Sequence, residues 1–184
     1  MQPHRKTEPL PRVELRPARA EDAELMLQWR QEPALLRYQP LGPATLPQIR
    51  TELSQQQPSA LCRGLGDKFQ WIVLAEHRPA GWITLVVTNW DHGLAELGYS
   101  LSTPHHGKGV MPHALEMLLV ELFTQTPLER IEARCAIENR ASRSVLERVG
   151  FQREGYLRGY FVLRGERVDN YLYAILRREF LGLD

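Results

Sequence analysis

One stretch, Glu96 to Val110, constrains the fold more than any other part of the chain. Leu97, Tyr99 and Leu101 alternate with small residues, as a half-buried strand requires. Pro104 ends the ladder because it has no amide to donate. Gly107 and Gly109 bracket Lys108, and Val110, Ala114, Leu115, Leu118, Leu119 and Leu122 follow at helical spacing. The stretch therefore reads as strand, turn and helix. Such a turn can hold an anion: the first amides of a helix lack intrahelical partners, and the helix dipole adds partial positive charge there. The glycines let a phosphate approach the backbone, and Lys108 supplies a full charge. The same G-x-G can also be a tight turn and nothing more.

The remaining properties bound the class. A chain of 184 residues makes one domain or slightly more. The 23 basic against 22 acidic residues, a net charge of +1, argue against a nucleic-acid platform while leaving room for a local basic patch. Cys62 and Cys135 are far apart and lack metal-ligand spacing, so buried, reduced thiols are expected rather than a disulfide. No apolar run reaches membrane-spanning length and no signal peptide is visible, which predicts a cytoplasmic protein without membrane contact.

Taken in order, residues 1–12 carry three prolines and no periodicity, and read as a flexible tail ahead of one domain over 13–184. Val13–Arg16 is a short strand. A helix is predicted over Ala20–Gln31 with Ala23, Met26 and Leu27 on one face, ended by Pro33. A loop over 35–45 carries Arg37, Tyr38 and Gln39, and a second helix spans 46–57 with Ile49 and Leu53 inward. A turn-rich connection follows at 58–67. Residues 69–76 and 79–88 are strands joined by a turn at His77-Arg78, and Asn89–Gly93 is a second turn. After the long helix (107–126), 130–136 alternates as a strand. Asn139 opens a further helix ending at Gly150, and 151–163 and 167–176 form a closing strand pair. The order is β-α-α-β-β-β-α-β-α-β-β: an α/β fold with a mixed sheet, helices on its faces and no internal repeat.

This order, with five short motifs, resembles the GNAT superfamily of acetyl-CoA-dependent N-acetyltransferases, and within it the RimJ/RimL branch. The motifs are Ala95–Tyr99, Gly107-Lys108-Gly109, Arg130–Ala133, Glu138–Ser142 and Val145–Phe151, the last extended by Glu154-Gly155. The resemblance implies a mostly antiparallel central sheet with two splayed strands, flanked by about four helices. It implies acetyl-CoA as cosubstrate, its pyrophosphate held by the amides of His106, Gly107, Lys108, Gly109, Val110 and Met111. Pantetheine would then lie along Tyr99, Ser100 and Leu101, with Asn139 in reach. No metal is expected; the pair His105-His106 lacks further ligands. The named members of the branch acetylate the N-termini of ribosomal proteins, so the implied acceptor is a protein N-terminal α-amine. Small amines (polyamine, amino acid, aminoglycoside) and a non-catalytic acyl-CoA-binding module are the alternatives, and the protein would be a monomer or homodimer.

Departures narrow the chemistry. Pro104 stands where the superfamily favours Gln or Arg, and His113 where Glu is common. Leu146 stands where many members place a tyrosine that protonates the departing thiolate; Ser142 is where the RimL-like branch places a serine. Three tasks need residues: taking a proton from the amine, stabilising the oxyanion, and protonating the thiolate. Glu96 fits the first or simply pairs with a nearby Arg. Ser142 fits the last or merely opens the helix, and Asn139 binds cofactor or acceptor, caps the helix, or both. Tyr38, Trp90 and Asp169 are candidates for the acceptor site, with Tyr171 on its far wall.

Overall fold

The computed structural model describes residues 11–183, so most of the predicted tail (residues 1–10) lies outside the described residues. Seven strands form one sheet in the order β1-β2-β3-β4-β5-β7-β6. They are β1 (Val13–Pro17), β2 (Lys68–Ala75), β3 (Arg78–Asn89), β4 (Leu94–Leu101), β5 (Arg130–Ala136), β6 (Gln152–Leu163) and β7 (Glu166–Leu176). All neighbours pair antiparallel except β4 and β5. These two run parallel, and only Leu94–Glu96 and Arg130–Glu132 are in register. Beyond Glu96 and Glu132 they part, as the resemblance implies, and leave a gap between them.

Four helices have eight residues or more: α1 (Ala23–Arg30), α3 (Leu46–Ser54), α5 (Val110–Gln125) and α6 (Arg140–Val149). Three more are short: α2 (Pro33–Leu36), α4 (Pro58–Leu61) and α7 (Arg177–Leu181). The first two fall where the sequence predicts a helix stop and a turn-rich connection. The reason is proline's asymmetry: Pro33 and Pro58 sit in the first turn, where an amide has no partner to lose. The predicted turn at His77-Arg78 is displaced by one residue. Glu76 and His77 take the left-handed conformation, with φ of 49° and 62°, and Arg78 already belongs to β3.

Sheet alternation sends side chains to two faces. One face packs under α5 and α6, where Leu115, Leu118, Leu119, Leu122, Ile131 and Tyr173 are wholly buried. Each such side chain contributes about 1.5–3 kcal/mol of burial, which holds α5 on this face of the sheet. The other face packs under α1 and α3 through Ile72, Trp82, Ile49 and Leu53. Trp29, rather than the predicted Leu27, completes the buried face of α1, stacking on Trp82 at 5.9 Å. Cys135 is buried as expected, but Cys62 is exposed; both are free thiols. Among the described residues no helix is long and apolar enough to cross a membrane.

Candidate active site

The turn between β4 and α5 is built as its sequence suggests. Gly107 and Gly109 both take positive φ, 73° and 76°, and Gly109 is the N-cap of α5. A side chain larger than hydrogen would be strained at either position. A Cβ built at Gly107 meets no atom within 4 Å, so the space above this backbone is open to a ligand. His106 Nε2 lies 2.6 Å from the Leu101 carbonyl, which ties the turn back to the end of β4. A cavity of about 540 Å³ runs from this turn along β4 to α6. Tyr99, Ser100, Leu101, His106, Gly107, Gly109, Val110, Met111 and Asn139 all line it. Lys108 is exposed and does not line it. Arg37 and Arg148 do, two cations that no motif in the sequence marks as site residues.

At the inner end of this cavity the strand and helix meet through hydroxyls. The Asn139 side chain caps α6, its Oδ1 accepting the Ser142 amide at 3.1 Å. This fixes Ser142 one turn into the helix. The Tyr99 hydroxyl lies 2.8 Å from Ser142 Oγ and donates to the Ser142 carbonyl at 3.1 Å. Burial pushes the Tyr99 phenol well above its ordinary value, against the opposing Ser142 hydrogen bond, so the phenol keeps its proton. Burial likewise raises the Cys135 thiol. Leu146, at the position where many relatives carry tyrosine, is 1% exposed and part of the core.

A second cavity, of about 470 Å³, opens on the other side of the splay. Tyr38, Gln39, Tyr99, Ser100, Asn139 and Ser142 line both, so the two cavities meet at these six residues. Gln39 bridges the junction: its Nε2 donates to the Tyr99 carbonyl and its Oε1 accepts from Ser100 Oγ, each at 2.8 Å. Glu96 lines the second cavity, and its carboxylate is ion-paired with Arg134. Arg134 in turn reaches Glu132 at 3.2 Å and stacks over Tyr160 at 5.4 Å. The chain of charges continues from Glu132 to Arg130 (2.9 Å) and Glu154 (2.5 Å). Burial works against the Arg134 charge, but the Glu96 contact outweighs it and raises its pKa.

The acetyltransferase (GNAT) domain family matches residues 12–152. The chain belongs to the GNAT acetyltransferase family. It is 32% identical to an uncharacterized N-acetyltransferase, p20, of Bacillus licheniformis over 93% of this chain and 96% of that protein. It is 34% identical to the [ribosomal protein uS5]-alanine N-acetyltransferase of Escherichia coli over 43% of this chain and 41% of that one. Among solved structures, Mycobacterium smegmatis RimJ in complex with CoA-disulfide superposes with a TM-score of 0.74 at 30% identity, covering 91% and 83% of the two chains. The spermidine N-acetyltransferase of Vibrio cholerae, with CoA and spermine, gives 0.80 at 21% identity over 92% and 98%. This GNAT enzyme is thus RimJ/RimL-like and transfers the acetyl group of acetyl-CoA to nitrogen.

Two acceptor candidates fall outside the second cavity. Trp90 donates its indole N–H to the Gly66 carbonyl at 2.7 Å, and its ring packs against the core. Asp169 holds the β6–β7 hairpin instead. It accepts from the Gly159 amide at 2.6 Å and from the Tyr156 hydroxyl, and these two bonds lower its pKa. Tyr38 alone of the three lines the junction, with Arg37 stacked over its ring at 5.2 Å.

Proposed function

We propose that the acceptor is the N-terminal α-amine of a protein, of the ribosomal-protein alanine type, acting in the cytoplasm. The charge of the second cavity carries this reading. Its two carboxylates, Glu52 and Glu96, are each already ion-paired, with Lys68 and Arg134, and Arg30 adds a further cation to its lining. A polyamine presents several positive charges and needs uncompensated carboxylates to offset its desolvation. A peptide start brings one amine followed by neutral backbone, which asks far less of a wall that has no free carboxylate to offer. Relatives of both kinds are present, the uS5-alanine enzyme and a spermidine enzyme, so the choice rests on the charge of the cavity.

In this reading the open turn at Gly107–Met111 binds the pyrophosphate, with Arg37 and Arg148 at the cavity wall. The β4 edge from Tyr99 to Leu101 holds the pantetheine arm, and the thioester sits where the cavities meet. Glu96 takes a proton from the amine, directly or through water. A backbone amide of β4 at the splay donates to the developing oxyanion. Ser142, held in place by Asn139 and Tyr99, donates its hydroxyl proton to the departing sulfur and regains one through water from Glu96, so that the proton lost by the amine ends on the thiol. The deciding experiment offers acetyl-CoA with a peptide beginning in alanine or with spermidine, read by free-thiol release. The peptide should be preferred in kcat/KM; preference for spermidine overturns the proposal.

A further inference from the structure

The second cavity contains a polar group with nothing to satisfy it. Asn170 lies on β7 and is 2% exposed, yet its Oδ1 has no hydrogen-bond partner. Buried side-chain oxygens are almost always paired, so an unpaired one in a cavity wall points to a missing donor. Register shows which way it points. Asn170 pairs with Ala136 on β5 and Leu157 on β6, and two residues back along β5 stands Arg134. Alternation puts Asn170 on the same sheet face as Arg134 and Glu96, the face that floors the acceptor cavity. Its neighbour Asp169 is turned to the other face, where Tyr156 holds it.

We infer that Asn170 binds the acceptor: its side-chain carbonyl accepts a hydrogen bond from an N–H of the incoming amine substrate. The group is suited to the task. It is neutral and so adds no charge to a wall whose ion pairs are already balanced. It accepts from a neutral amine or an ammonium alike, so it can hold the nitrogen before and after proton loss. It stands on a strand rather than a loop, beside the turn where β5 leads to Asn139 and Ser142, so its position is fixed relative to the transfer point. The inference rests on acetyl transfer to a primary amine and holds for an α-amine or a polyamine.

A structural role and a binding role predict opposite results for Asn170→Leu. Replacing a carboxamide whose buried oxygen is unpaired by an apolar side chain of similar size should leave the thermal midpoint unchanged or raise it. The acceptor kcat/KM should nevertheless fall about 10-fold to 100-fold, mainly through KM, the range for one lost hydrogen bond to a polar or charged partner. The KM for acetyl-CoA should stay put. Asn170→Asp, which keeps an accepting oxygen, should retain more activity than Asn170→Leu. The assay uses the alanine peptide and spermidine with wild type and both variants. A spermidine preference in the wild type overturns the α-amine proposal alone. Unchanged kcat/KM of Asn170→Leu on the preferred amine, or a lowered thermal midpoint, overturns the role of Asn170.

Discussion

The hydroxyls of Tyr99 and Ser142 lie 2.8 Å apart, one on β4 and one in the first turn of α6, at the point where the two cavities join. In the proposed reaction this pair takes the place of the tyrosine that Leu146 replaces. A serine hydroxyl alone is a poor acid, but one hydrogen-bonded to a phenol that keeps its proton has a fixed orientation and a polar neighbour to stabilise its charge. Ser142→Ala should therefore lower kcat by about 10-fold to 10⁴-fold, the range of a general-acid contribution. Tyr99→Phe should lower it less, because Tyr99 acts through Ser142. Acetyl-CoA affinity should change little in either. Titration calorimetry beside steady-state kinetics checks this, and a loss confined to affinity or melting temperature would reduce Ser142 to a helix-opening residue.

The cofactor turn allows a sharper test. Gly109 caps α5 with φ of 76°, and the proposed reading places its amide among those that bind the pyrophosphate. Gly109→Asp strains the backbone and sets a negative charge against the phosphate. Acetyl-CoA binding by calorimetry should be abolished. Binding at wild-type strength would move the pyrophosphate elsewhere.

Gly98 gives the matching test for the acceptor side. It lies on β4 between Glu96 and Ser100, lines the second cavity, and a Cβ there meets no atom within 4 Å. Its backbone is ordinary strand, so a side chain is tolerated and simply fills the cavity. Gly98→Val should leave the thermal midpoint and acetyl-CoA affinity unchanged while reducing acceptor kcat/KM by about 100-fold, as misplaced reactants do. Full activity on a peptide acceptor would show that the amine enters by another route.

Stability has its own pH signature at the start of the domain. Arg16 holds Asp22 bidentately at 2.7 and 2.6 Å, and the Arg19 amide adds a bond at 2.8 Å, tying β1 to the start of α1. Burial favours the neutral acid, but these bonds outweigh it and bring Asp22 below its ordinary value of 3.8. A lowered folded-state pKa means the stabilisation is complete above the unfolded value and is lost as pH falls through the folded one. Asp22→Ala should cost about 2 kcal/mol near neutral pH, most of it from leaving Arg16 unpaired. Urea unfolding down to a pH of about 3 should show the wild type losing stability more steeply than the variant. Parallel curves would mean that Asp22 titrates alike in both states.

How far these features could be read from sequence depended on the range over which they are made. The β4–α5 turn and the Asn139–Ser142 cap were legible because alternation, glycine pairs and caps act within a few residues. The acceptor cavity was not. Gln39 reaches Tyr99 from 60 positions away, and Asn170 enters the wall because β7 inserts between β5 and β6, an order that no local pattern encodes. Trp90 and Asp169 sit in or beside turns, which makes them acceptor-site candidates in sequence, but their polar atoms are taken by Gly66, Gly159 and Tyr156. Pro33 and Pro58 look like punctuation in sequence, although proline opens a helix as readily as it ends one.

Glu96 is where both readings of one residue meet, since it lines the acceptor cavity and is also the ion-pair partner of Arg134. The two differ in how rate depends on pH. An N-terminal α-amine has a pKa of about 7.7 to 8.0, so a sizeable fraction is neutral near pH 7 without help. A lysine near 10.4 is almost wholly charged and leans far more on a base. If the acceptor is an N-terminus, the ascending limb of kcat/KM should follow the amine, and Glu96→Gln should cost about 10-fold to 100-fold. For a lysine or polyamine the loss should be larger and should shrink as pH rises toward the amine pKa. Gln keeps the size of the side chain while removing the charge, so Arg134 is left with Glu132 as its remaining carboxylate. A melting curve of the variant therefore separates the loss of the ion pair from the loss of the base. The pH series needs two peptides, one with a free N-terminus and one blocked but carrying an internal lysine. Equal activity of Glu96→Gln and wild type on both, across the series, would leave Glu96 as the partner of Arg134 and nothing more.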